Sequence, residues 1–383
     1  MNDNKKTFDL KYIPVLDGVR AIAIILVALF HFNILLRMNL SVPVPSGSLF
    51  GINHIGIKWI VDTGYEMVDM MLLLSGFCLF LPYAREMFGQ GKIEDKKVFY
   101  KKRVARIFPS YYICLLLTLF FYIIPNHLFG SIVFFLKDFI PHVFFLHTYT
   151  YISYLGTRFN GVLWTLAIEV QFYIIFPYLA KLFKKYMWQT YVVMNLLAIA
   201  FIKFGIIDRH LDNNGMWINQ LPAFLGVYAN GMLAAYLFVR LATHFNKNGF
   251  KNKTGIFFTA ISFLCIVGYG VYMSWLYHSE NGQIWQVTHR LEISFLYSVF
   301  LVSTCFSVNI WQKIFSNKIM KFMSAISFNY YIWHQFVAER LKNCLSLSKI
   351  EYLLLFIITS VLAGWIMTQF VEKPLAKKIL KKK

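Results

Sequence analysis

The chain has 383 residues, 58% of them hydrophobic and 15% charged, with a mean hydropathy of +0.55. A water-soluble protein of this size needs far more polar surface, so these values exclude a soluble globular enzyme and point to an all-α, polytopic helical membrane protein. In such a chain the formal net charge of +20 is mainly topology signal, with a share left for an anionic ligand or anionic lipid, and nucleic acid is not an expected partner.

Ten apolar runs of spanning length are expected, at 15–36, 65–83, 108–125, 163–181, 190–207, 219–240, 255–277, 290–309, 321–341 and 350–371. They follow an N-terminal tail, 1–14, and precede a basic C-terminal tail, 372–383. The first run has no cleavage site and reads as a true span. Alternate connecting segments hold 27 Lys and Arg against nine in the other set, which places both termini in the cytoplasm. The stretch 131–150 is apolar but interrupted by Lys137, Asp138 and Pro141. Counting it as a span would turn the later basic loops outward, so 126–162 reads as an outer excursion, partly re-entrant or interfacial. Residues 37–63, with Pro43, Pro45, Gly47 and Gly51, form a second outer loop. No long soluble domain is expected at either end. Cys78, Cys114, Cys265, Cys305 and Cys344 lie in or beside apolar runs without metal-ligand spacing and read as small core residues.

The first run carries Arg20 and His31, eleven residues apart. That is about three helical turns and about 16 Å, so both fall on nearly one face. Ionisable groups inside a span are functional candidates. Before the third run, Arg103 and Arg106 are three apart, and on a helix they form a fork suited to phosphate oxygens. Ordinary positive-inside residues would look the same. Pro109 is expected in the first turn of that span. In the fourth run Glu169, Tyr173 and Pro177 share a face. Counting back from Lys181 puts Glu169 about 18 Å up, level with His31, where carboxylate and imidazole are expected to form an acid–base pair. The alternative is an interhelical hydrogen bond that only holds the bundle. His334, in Tyr330-Tyr331-Ile332-Trp333-His334-Gln335, falls near mid-depth and suits either packing or chemistry. Asp69 and Leu74-Ser75-Gly76-Phe77 read mainly as packing, and Glu372-Lys373-Pro374 as a structural close to the last span. His127, His142 and His147 match no helical metal pair, so no metal is expected. Tyr149, Tyr151, Tyr154 and Trp217 are candidates to stack on sugar rings.

Six segments then resemble, in order, the motifs of membrane acyltransferase family 3. They are Leu16-Asp17-Gly18-Val19-Arg20-Ala21 with His31, Leu73 to Phe77, Arg103 to Tyr111, Trp164 to Tyr173, Tyr330 to His334, and Glu372-Lys373-Pro374. Val170 and the Met70-Met71 pair depart from the commonest pattern without removing a chemical group. The resemblance implies a ten-span acyltransferase domain over 15–371, in a multi-pass protein of a cell membrane, with a bacterial plasma membrane as the expected location. It implies transfer of an acyl group, usually acetyl, from cytoplasmic acyl-CoA to a hydroxyl of an extracytoplasmic cell-surface glycan or lipid-linked sugar. Acetyl-CoA is then the donor substrate and no cofactor is tightly bound. Arg20, Arg103 and Arg106 would hold CoA, His31 would be the base and Glu169 its partner, with Asp17, Tyr173, Ser75 and His334 in support. Some members carry an extracytoplasmic hydrolase-like domain; a relayed second transfer would here need a separate transferase partner. A proton-coupled transporter or channel using His31 and Glu169, and a non-catalytic scaffold, are the rival classes. The absence of a repeated half weighs against the transporter.

Overall fold

Helix occupies most of every expected span, with 205–207 outside the described residues and 290–309 broken after Cys305, and local capping explains where several begin. The computed structural model describes residues 7–36, 41–43, 54–56, 58–204, 214–279, 282–344 and 347–381. Helix α1 (Pro14–Leu36) starts on a proline, whose missing N–H costs nothing in a first turn. A two-stranded antiparallel ribbon, β1 (Ser41–Pro43) with β2 (His54–Gly56), and α2 (Lys58–Asp62) follow. Most of the expected 37–63 loop, with Pro45, Gly47 and Gly51, lies outside the described residues. Next come α3 (Met67–Met87) and α4 (Lys96–Thr118), the latter continued by a π-helical turn over Leu119–Ile123. Asp95 accepts a hydrogen bond from the Lys97 amide at 2.7 Å and so starts α4 at Lys96 rather than near residue 108. Pro109 therefore lies inside the helix, not in its first turn. Arg103 and Arg106 gain the rigidity of the same helix.

Helix α5 (Ile132–Val143), capped by Ser131, is 12 residues long. At about 18 Å it is too short to cross a bilayer, in keeping with an excursion over 126–162. The remaining helices are α6 (Trp164–Lys185), α7 (Met187–Ile202), α8 (Asn214–Ile218), α9 (Leu221–Asn248) and α10 (Asn252–His278). They continue with α11 (Gly282–Thr288), α12 (Arg290–Cys305), α13 (Asn309–Ser316) and α14 (Lys318–Cys344). Last are α15 (Lys349–Ile366), a π-helical turn over Met367–Glu372, and α16 (Lys373–Lys381). Ser348 and Glu351 form a capping box at the start of α15.

Among the described residues, seven helices are long and apolar enough to cross a membrane, or eight if α12 and α13, bent by 114° at their junction, make one span. If that pair is one span, two of the ten expected spans miss that standard, for visible reasons. Helix α7 has only 16 residues. Helix α14 has 27, but Ser324, Ser327, Asn329, Tyr331 and His334 give it a buried polar series. The basic segments gather at one end of the bundle. Phe8 bonds Asn246, Lys184 pairs with Glu86, Gln90 bonds Thr243, and the Lys101 ammonium donates to the Leu380 carbonyl.

Helices α3 and α9 form the centre, and small residues let their backbones touch. A Cβ on Gly231 would lie 2.2 Å from the Leu73 carbonyl oxygen, and one on Gly76 2.7 Å from that of Tyr228. Backbone cannot yield as a side chain can. Gly231→Val is expected to destabilise the fold by about 1–3 kcal/mol through overpacking, read as a lower thermal midpoint in detergent. Outside, α10 and α15 show Phe263, Leu264, Val271, Leu354 and Ile358 on their exposed faces, the surface a lipid-facing helix needs.

The excursion is fixed by its own polar staple. Buried Asp138 accepts from the Thr157 hydroxyl and the Arg158 amide, both at 2.8 Å. The rings of His142 and His147 stack 4.1 Å apart at 4°. Burial lowers His142 to about 4 and His147 well below the usual imidazole range, so both stay neutral and the stack is tolerated. No three-residue metal cluster is present among the described residues, this pair included.

Candidate active site

A cavity of about 860 Å³, counting its open mouth, lies among α1, α3, α4, α6 and α14. Six of the residues singled out from the sequence line it: Arg20, Ser75, Arg103, Arg106, Glu169 and Tyr173. Cys78, Thr165, Ser327 and Tyr331 complete its polar wall.

Three guanidiniums enter one space. Arg20 donates to the Ser324 hydroxyl at 3.4 Å and approaches the Cys78 sulfur at 3.6 Å. Ser324 in turn donates to Asp17 at 2.7 Å, so Asp17 positions Arg20 through a serine rather than by an ion pair. Tyr12 closes this chain by donating to the other Asp17 oxygen at 2.6 Å, and that bond holds its phenol up at about 12. Arg103 lies 5.5 Å from the ring centres of Phe99 and Tyr173. Arg106 lies over Phe328 and 3.4 Å from a Glu372 oxygen. The second Glu372 oxygen accepts from Asn329 at 2.7 Å. Among the described residues, only Arg106 of the three has a carboxylate at ion-pair distance. The cavity therefore holds surplus positive charge, a condition that favours a bound anion.

Glu169 belongs to this cavity. Both the Ser75 hydroxyl, at 3.0 Å, and the Tyr173 hydroxyl donate to its Oε1. Its Oε2 keeps its lone pairs clear of those two donors.

His31 has a different partner from the one expected. Its Nδ1 lies 3.1 Å from Nε2 of His334, and the rings are 5.0 Å apart at 60°. The expected His31–Glu169 pair is corrected to His31–His334, with Glu169 held by Ser75 and Tyr173. The physical reason is register. Arg20 meets Cys78, and the Phe30 and Tyr65 rings lie 5.1 Å apart, so α1 and α3 run antiparallel. Ser75, with Glu169 bonded to it, then falls level with Ala23, about 12 Å short of His31 along the helix. Counting residues from basic boundaries measures helix length, not depth, and α6 runs on to Lys185, beyond the expected boundary.

Tyr331 links the cavity wall to the histidine pair. Its hydroxyl accepts a 2.9 Å hydrogen bond from Thr165 at the cavity wall and donates at 3.1 Å to the Val162 carbonyl. Its own carbonyl lies 2.6 Å from Nδ1 of His334. Helix α14 thus carries Ser324, Ser327, Tyr331 and His334 along one stripe, from the Arg20 anchor to the histidine pair.

Sequence reasoning missed Glu372 as the partner of Arg106, and Ser324 as the link to Asp17. The three- and four-residue spacing of the α14 hydroxyls was the available signal for the second. For Glu372 it was a carboxylate at the end of the last span, beside Lys373. Of the outer aromatics, Tyr149 and Tyr151 are more than half exposed. Tyr154 instead accepts from Asn219 at 2.6 Å and is half-buried.

The chain is similar to known proteins. O-acetyltransferase OatA of Staphylococcus aureus (strain NCTC 8325 / PS 47) is 23% identical over 391 residues, covering 98% of this chain and 59% of the relative. OatA of strain COL gives the same figures. The chain spans about three fifths of the length of these relatives. No solved structure matches it. A family model described as an acyltransferase domain, acyltransferase 3, matches residues 13–369, nearly the whole helical bundle and every site residue named above except Glu372 and Tyr12. The chain belongs to the acyltransferase 3 family.

Proposed function

We propose that this multi-pass membrane protein is an O-acyltransferase that moves an acyl group, acetyl by default, from acyl-CoA to a sugar hydroxyl. The single observation that carries the reading is the cluster of three guanidiniums in one cavity, two of them without a carboxylate at ion-pair distance among the described residues, with Tyr331 linking the cavity wall to the histidine pair. CoA is an anion with several phosphates and a long neutral arm, which matches a charged mouth leading to a less charged interior. The basic end is the cytoplasmic side in this reading, where CoA is found. The acceptor, a cell-surface glycan or lipid-linked sugar, approaches from the opposite face of a cell membrane.

Arg103, Arg106 and Arg20 hold the phosphates, and Asp17, Ser324 and Glu372 hold the guanidiniums. The thioester lies along the α14 wall toward His31. The free nitrogen of His31 takes the proton of the acceptor hydroxyl as its oxygen attacks the thioester carbonyl. The C–S bond breaks, and the departing CoA thiolate takes that proton back from the imidazolium. Glu169 orients the Ser75 and Tyr173 hydroxyls beside the donor and balances part of the arginine charge.

Arg103→Ala combined with Arg106→Ala is expected to weaken CoA binding to the purified protein by at least about tenfold. Each lost charge-assisted hydrogen bond is worth about 1.5–3 kcal/mol. Titration calorimetry in detergent reads the effect. Unchanged affinity would remove the phosphate role.

A further inference from the structure

We propose that His334 is the residue that sets the tautomer of His31, holding its Nδ1 protonated and leaving Nε2 as the free base. This rests on the reading of His31 as the base and names the positioning residue that the reading needs.

The Tyr331 carbonyl can only accept, and it lies 2.6 Å from Nδ1 of His334. Nδ1 of His334 must therefore carry its proton. In the neutral ring Nε2 of His334 is then an acceptor, and it lies 3.1 Å from Nδ1 of His31. The Val27 carbonyl is a second obligate acceptor, 3.0 Å from the same Nδ1 of His31. Two acceptors thus converge on one nitrogen of His31, and only a proton there satisfies both. The opposite assignment sets lone pair against lone pair at Tyr331 and again at Val27. Nδ1–H on His31 leaves a lone pair on Nε2, the atom a general base requires.

Burial assigns the roles within the pair. His334 has no exposed surface, whereas His31 is only partly buried. The inner ring has no route to an acceptor hydroxyl, so it supports, and the outer ring reacts. His334 does here what a carboxylate does behind many catalytic imidazoles, without bringing a charge into the bundle.

The test compares His334→Leu, which removes the acceptor, with His334→Gln, whose amide oxygen replaces it. Two readouts are taken on the full chain in detergent. One is 15N NMR of histidine-labelled protein, with the His31 ring assigned by its loss in His31→Gln. The other is turnover of acetyl-CoA. The wild-type His31 ring is expected to show the neutral, Nδ1-protonated pattern, and His334→Leu, which leaves the Val27 carbonyl as the remaining acceptor, to shift it part of the way toward the Nε2-protonated form. In the same variant kcat is expected to fall by about tenfold to a hundredfold with KM for acetyl-CoA within about twofold, a loss typical of supporting residues. His334→Gln is expected to restore both the ring pattern and most of kcat. A wild-type His31 ring protonated on Nε2, or a His334→Leu protein with wild-type ring pattern and kcat, overturns the proposal. His31→Ala is measured alongside. If it keeps full turnover, the base assignment itself fails, and the ring pattern still decides the tautomer.

Discussion

His31→Ala is expected to lower kcat for acetyl transfer by about two to four orders of magnitude, the range that general-base catalysis contributes. Affinity for CoA should hold, because His31 is absent from the wall of the arginine cavity and about 16 Å along α1 from Arg20. The two losses are therefore separable. Removing the arginines impairs binding, whereas removing His31 impairs the chemical step. Steady-state rates at saturating donor, set beside CoA affinity for the same preparations, make the comparison. His31→Ala with wild-type kcat would remove the base; His31→Ala with lost CoA affinity would place the ring in the phosphate site instead.

The second large effect concerns folding. Arg290→Ala is expected to destabilise the protein by about 3–5 kcal/mol, the cost of breaking a buried ion pair. Arg290 Nε donates to Asp69 at 2.9 Å, and both side chains are almost fully buried. The same guanidinium donates to the Ile218 carbonyl at 3.1 Å and lies 4.1 Å over the Phe224 ring. It thereby joins α3 to α12, to the start of α9 and to α8. Glu66 is also buried, with one oxygen unpartnered. Losing the arginine leaves two acidic groups without their cation. Asp69→Leu with Arg290→Met should be milder than either single loss, since it removes both charges together. Thermal and denaturant unfolding in one detergent read all three variants. Arg290→Ala within about 0.5 kcal/mol of wild type would deny the pair its structural role.

Features carried within one helix were legible before any coordinates. The apolar runs mark the helices. The four-residue step from Glu169 to Tyr173 becomes a hydrogen bond, and the Arg103–Arg106 pair lines one cavity. Features carried between helices were not. His31 and His334 are separated by 303 positions, Arg106 and Glu372 by 266, and Asp69 and Arg290 by 221. Nothing local encodes which faces meet, since tilt and offset decide it. Depth counting failed at Glu169 for that reason, and it also hid the turn at α13, where the chain bends by 114° instead of continuing α12. Asp69 read as packing because its cation sits nine helices further on.

The central claim is that the arginine cavity takes acyl-CoA and that His31 drives transfer to a sugar on the far side. Sealed inside-out membrane vesicles containing the wild-type protein, given acetyl-CoA labelled in the acetyl group, test it most directly. CoA release is expected together with label in glycan or lipid-linked sugar inside the vesicle, both lost in vesicles carrying His31→Ala. Equal CoA release and equal incorporation in wild-type and His31→Ala vesicles would contradict it.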